Sequence, residues 1–219
     1  MKEEFRVLST TAILGYGFPE SSFNEGMKRD PHLIAVDAGS SDPGPYYLGA
    51  GVSFTDRGAV KRDLTLMLCA GVRRRIPVVI GTAGGSGADS HLSWCREIVE
   101  EIAAENDLRF RMAVIHAEIP KETVREAMKR GKVKPLPPTG ELTEDMLDQT
   151  GAIVAQMGIE PIIKALDEGA EVVLAGRCYD PAVFAAPAVR AGYDQGLAVH
   201  MGKILECASI AATPGSGSD

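Results

Sequence analysis

Asp37 closes an apolar run, and Asp42 follows it after the small and hydroxyl residues Ala38-Gly39-Ser40-Ser41. Two neighbouring carboxylates suit proton transfer, or an all-oxygen site for a divalent metal with Asp37 and Asp42 as ligands. Aspartate and serine also satisfy the donors of their own turns, so a structural reading stands beside the chemical one. Further along, His116 and Glu118 lie two residues apart at the end of another apolar run. In extended backbone both side chains point to one side, as a general base or a pair of metal ligands requires. Arg177 and Asp180 bracket the end of a third run. The guanidinium has the fork geometry to hold a substrate carboxylate, or it can be consumed by an ion pair with Asp180.

Gly81-Thr82-Ala83-Gly84-Gly85-Ser86-Gly87 sits behind the apolar run 77–80 and ahead of a helical pattern. A strand ending in a glycine loop that opens a helix exposes unpaired N–H groups, which favour an anion. Gly84, Gly85, Ser86 and Gly87 are therefore candidates for binding a cofactor or an anionic group, together with Ser40 and Ser41. The alternative is a tight connection in which glycine only relieves crowding. The run matches no standard phosphate motif: no lysine follows Gly87, and a G-x-G-x-x-G spacing is absent. Asp89 or Ser90 could cap the following helix, with His91 expected on the surface.

For these groups to meet, the apolar runs must be strands of one sheet. Residues 5–9, 33–37, 78–81, 111–116 and 171–176 are short and mostly continuous in apolar character, as in strands covered on both faces. Helical patterns lie between and after them, at 60–73, 90–104, 121–130, 143–157, 159–168, 181–191 and 195–212. This alternation predicts an α/β fold: a doubly wound, mostly parallel sheet of about five strands with helices on both faces. In such sheets ligands gather outside the carboxyl ends of the strands, where every candidate above would lie. Residues 135–140 are a stiff, proline-rich connector that could separate two subdomains or only span the sheet edge; the second reading is preferred, because each part is small for an independent core, and leaves 1–219 as a single domain. On the last helix His200, Lys203 and Cys207 share a face with Glu206 beside them, which reads as a solvated stripe in preference to a catalytic face.

Composition narrows the classes. A net charge of −7 disfavours nucleic acid and anionic membrane surfaces but permits a small anionic organic substrate in a locally basic pocket. No run approaches the length of a membrane span, and the first residues are acidic rather than apolar, so a cytoplasmic location is expected. Cys69, Cys95, Cys178 and Cys207 show no C-x-x-C pair or zinc spacing and read as thiols in a reducing compartment. No G-x-S-x-G elbow appears, which argues against a serine hydrolase. The glycine-serine end can be a tail, or the chain can stop within a functional loop.

Four segments together resemble the N-terminal region of the acyclic terpene utilisation (AtuA-like) family. They are Ile34-Ala35-Val36-Asp37-Ala38-Gly39-Ser40-Ser41-Asp42-Pro43-Gly44, the glycine run, Leu174-Ala175-Gly176-Arg177-Cys178-Tyr179-Asp180-Pro181, and Ala212-Thr213-Pro214-Gly215-Ser216. Members generally run longer, so the resemblance implies that these residues are the N-terminal part of a larger architecture. It also implies bacterial catabolism of branched terpenoid acids, and some relatives carry lyase labels such as 3-methylaspartate ammonia-lyase. The combined expectation is a catabolic enzyme acting on a small carboxylate or acyl thioester by lyase, hydratase or isomerase chemistry. Asp37, His116, Glu118, Arg177 and Asp180 would be its catalytic residues. The rival expectation is a noncatalytic nucleotide- or coenzyme A-binding subunit. Either leaves room for a homo-oligomer or a partner subunit.

Overall fold

The computed structural model describes residues 4–213, 215 and 216. The apolar runs form five strands: β1 (Val7–Ser9), β2 (Leu33–Gly39), β3 (Val78–Gly85), β4 (Met112–Ile115) and β5 (Val172–Ala175). Every pairing is parallel, in the order β1-β2-β3-β5-β4. The helices are α1 (Glu20–Met27), α2 (Tyr46–Ala50), α3 (Arg57–Arg74), α4 (Asp89–Glu105), α5 (Lys121–Lys129), α6 (Glu144–Gln149), α7 (Glu160–Asp167), α8 (Ala182–Arg190) and α9 (Gln195–Leu205). A 3₁₀ turn, Ala208–Ala211, follows α9. No helix among the described residues is long and apolar enough to cross a membrane.

Strand alternation divides the core in two. Ile34, Val36, Val78, Ile80, Val172 and Leu174 face α1, α3 and α4. Leu33, Ala35, Val79, Val173 and Ala175 face α7, α8 and α9. Both faces of the sheet are thus covered, the condition for an all-parallel sheet. Asp56 starts α3 by accepting a 2.9 Å hydrogen bond from Ala59 N, and Arg73 and Arg74 lie against the negative end of its dipole. Within α3 the buried Asp63 accepts from Gly15 N and Gly17 N, at 3.0 and 3.1 Å, which pins the loop after β1.

Several elements differ from the expectation. The glycine run is not a loop from Gly81: β3 continues through Gly85, and its N–H groups up to that point belong to buried strand. The strand bulges there, because Asp37 pairs with Gly81 while Gly39 pairs with Gly85. Such contact requires glycine, since a Cβ on Gly39 would lie 2.2 Å from Gly85 O. The helix expected over 143–157 stops at Gln149, and the following residues extend to bridge Glu118 through Val154 and Cys178 through Met157. The last helix ends at Leu205 rather than Ala212. Helices α1 and α2 lie outside the helical patterns of the sequence. Part of the glycine-serine end, Pro214 and residues 217–219, lies outside the described residues, as do residues 1–3.

Gly87 ties β3 to the exit of β5. Its φ is +74°, and a Cβ there would stand 2.1 Å from Arg177 N. Gly87→Ala should therefore lower stability by about 2–3 kcal/mol, read as a reduced urea midpoint at unchanged slope.

Candidate active site at the carboxyl ends of the strands

Two adjoining clefts open where β2, β3 and β5 end. One, of about 440 Å³, is lined by Ser40, Ser41, Ser86, Gln156 and Arg177 among others. The second, of about 370 Å³, contains Asp37, Asp180, Lys203 and Glu206. Ser40 and Ser41 line both and form their shared wall. A larger concavity of about 530 Å³ lies at the opposite ends of the strands beside Arg6, His32 and Arg74. Its Arg6 and Arg74 are already engaged with Asp30, and Arg74 also with Met27 O.

Arg177 is positioned from several directions. Its backbone N–H donates to Gly87 O at 3.2 Å, and its carbonyl accepts from Met157 N at 3.1 Å. The buried Thr82 accepts from the next amide, Cys178 N, at 3.1 Å. The side chain, 13% exposed, donates through Nε and Nη2 to Gln156 Oε1 and through Nη2 to Asp180 Oδ1 at 3.2 Å. Nη1 has no hydrogen-bond partner among the described residues, so two N–H groups remain for a ligand. The ion pair and ligand binding, alternatives at the level of sequence, therefore use different nitrogens of one side chain.

Asp37 is 4% exposed at the end of β2, and its one described side-chain hydrogen bond is from Gly39 N to Oδ1 at 3.1 Å. Burial, reinforced by the charge of Asp180, raises its pKa well above the ordinary carboxyl value. Glu206, 6% exposed on the last turn beyond α9, is also raised, chiefly by burial, against the opposing effect of Lys203. Lys203 meets Glu206 Oε1, and this contact raises the lysine pKa. One oxygen from each of Asp37, Asp180 and Glu206 lies within 4.8 Å of the others. Cys178, close to Asp37, is buried with its thiol pushed up to about 12, which removes it as a thiolate nucleophile near neutral pH.

The remaining candidates take other positions. Asp42 lies on the rim of the carboxylate cleft, its N–H bonded to Ser40 Oγ at 3.0 Å, and it is not in the three-carboxylate group. His116 and Glu118 do point to one side, but both meet the start of α4 rather than the clefts. His116 Nδ1 lies 2.7 Å from Asp89 Oδ1, and Glu118 Oε2 accepts from Asp89 N at 2.9 Å, capping a helix whose own Ala88 provides no side-chain cap. Gly84 and Gly85 are buried against His91 and Phe54, so of the glycine run only Ser86 lines a cleft. His91 is buried, not on the surface, with Nε2 3.1 Å from the carbonyls of Tyr47 and Val52.

A sequence model of the acyclic terpene utilisation family protein AtuA matches residues 59–215. The chain belongs to this family. The matched stretch holds Ser86, Gln156, Arg177, Asp180, Lys203 and Glu206, whereas Asp37 and Ser40 to Asp42 precede it. No curated protein and no solved structure matches the chain. In this AtuA-family chain three cleft residues escape a reading by motif. Lys203 and Glu206 look like a solvated helix stripe, yet they face the strand-end rim. Gln156 reaches Arg177 only because 150–157 is extended instead of helical. The i, i+3 spacing of Lys203 and Glu206 was the available signal, and it is shared by countless exposed pairs.

Proposed function

We propose that this AtuA-family protein is a cytoplasmic catabolic enzyme acting on a small organic acid or its acyl thioester. The reaction would be proton abstraction or addition–elimination, of the lyase, hydratase or isomerase type. The observation that carries this reading is the free Nη1 edge of Arg177 in a cleft whose serine wall continues to the buried Asp37 carboxyl. A substrate carboxylate takes the guanidinium edge, with Ser40, Ser41 and Ser86 as hydroxyl partners. Asp37 accepts or returns a proton at the neighbouring carbon, its affinity for protons brought toward the working range by burial. Asp180 and Gln156 fix the guanidinium plane, and Lys203 with Arg177 supplies local positive charge within an acidic protein.

The rival role, a noncatalytic subunit holding a nucleotide or coenzyme A, draws on the glycine run. Its support is weaker, because the run is buried strand through Gly85 and leaves few amides for a phosphate. Calorimetric titration of the full-length protein with small branched carboxylates, their coenzyme A thioesters and nucleotides, beside product analysis, separates the roles. Carboxylate or thioester binding with turnover is expected. Nucleotide or coenzyme A binding without turnover of any candidate would replace the enzyme by the subunit.

A further inference from the structure

The three buried or half-buried carboxyl groups share a pattern of hydrogen bonding. Each is held through one oxygen: Asp37 Oδ1 by Gly39 N, Asp180 Oδ1 by Arg177 Nη2, and Glu206 Oε1 by Lys203 Nζ. The second oxygen of each has no N–H donor among the described residues, and the carboxyls of Asp180 and Glu206 stand within hydrogen-bonding reach of each other. For Glu206 that oxygen, Oε2, is fully buried without a partner, a costly state for a carboxylate and one that a native site rarely keeps. Outer donors that fix one oxygen and orient the other are the usual support of a metal-binding carboxylate.

Spacing and charge agree with this. With one oxygen of each group within 4.8 Å of the others, a point exists within about 2.8 Å of all three. A contraction of a few tenths of an ångström reaches the bonding range of calcium, and a somewhat larger one that of magnesium or manganese. Three ionised carboxylates beside Lys203 and Arg177 leave one uncompensated negative charge, which a divalent cation turns into one positive charge. That charge matches a monoanionic acid arriving from the Arg177 cleft. The donor set is oxygen alone, which selects hard cations over zinc or copper.

We propose that Asp37, Asp180 and Glu206 form a binding site for a hard divalent cation at the floor of the carboxylate cleft. The site shares Asp37 with the proposed activity, so a bound cation and a proton on Asp37 are alternative occupants of one cluster, and cation binding requires no turnover. Its ligands come from the end of β2, the turn after β5 and the end of α9, so the cation also clasps three separate chain segments. Asp42 and the exposed Glu118 are not ligands.

The test is manganese binding by the full-length metal-free protein, followed by electron paramagnetic resonance and by thermal shift. One saturable site with a dissociation constant below about 1 mM is expected, competed by magnesium or calcium and raising the melting temperature. Glu206→Gln and Asp37→Asn should each weaken it at least ~10-fold, and Glu118→Gln should not. Absence of saturable binding overturns the site and leaves a shared proton as the occupant of the cluster. So does affinity indifferent to both cleft substitutions, or equally reduced by Glu118→Gln. Manganese binding without any chemistry on organic acids would instead retain the site and remove the enzyme reading.

Discussion

Asp37→Asn in metal-free protein is expected to fold and to be more stable than the parent at neutral pH, while losing turnover by about 10²–10⁴-fold. The sign follows from linkage. The folded-state pKa of Asp37 lies above its unfolded value, so the folded chain binds this proton more tightly. Its contribution to stability is fully present below the unfolded pKa and is lost as pH rises through the folded one. At neutral pH the parent carries the penalty of a buried carboxyl beside Asp180 and Glu206, and asparagine relieves it while still accepting from Gly39 N. The advantage of the variant should shrink as the solution is acidified toward the ordinary carboxyl range. Thermal melts of both proteins across pH, with chelator present, check this. An asparagine variant destabilised at every pH would show that the carboxylate serves the fold and not the chemistry.

Arg177→Lys should have the next largest effect, through affinity rather than rate. A guanidinium plane held by Gln156 and Asp180 presents its Nη1 donors to a carboxylate in a fixed direction, and lysine offers a single point charge without that plane. Hydrogen bonds to charged groups contribute about 1.5–3 kcal/mol, so the KM for a carboxylate substrate should rise by roughly 10–100-fold. If the interaction is equal in ground and transition states, kcat changes little. A loss confined to kcat would move Arg177 from binding into the chemical step.

The sequence carried the sheet and its rim further than it carried the site. Continuous aliphatic runs such as 33–37 and 171–176 could only be strands covered on both sides, and parallel pairing then placed their carboxyl ends together. The glycine run misleads because glycine serves both loops and crowded strands. Here the close approach of Gly39 and Gly85 decides for strand, a long-range contact that no local pattern contains. His91 is buried by the carbonyls of Tyr47 and Val52, contributed by a segment some forty residues away. Asp37, Arg177 and Asp180 were legible because each closes or follows a strand. Glu206 was not, since a polar helix stripe normally faces water and only the packing of α9 on α8, with Ser9 at the end of β1 donating to Leu205 O, turns it toward the cleft.

The relation between stability and chemistry in this cleft follows from its composition. Three carboxyl groups taken from water cost the fold, and Lys203 and Arg177 offset only part of that cost. Such arrangements are expected where a group must hold a proton or a cation near neutral pH, and they are otherwise unfavourable.

The most direct test is solvent deuterium incorporation by nuclear magnetic resonance, with the full-length protein in heavy water and a panel of small branched carboxylates and their thioesters. A buried Asp37 that exchanges a proton with substrate predicts deuterium at the carbon next to the carboxyl or thioester, abolished by Asp37→Asn. Incorporation that persists undiminished in the asparagine variant would contradict the account.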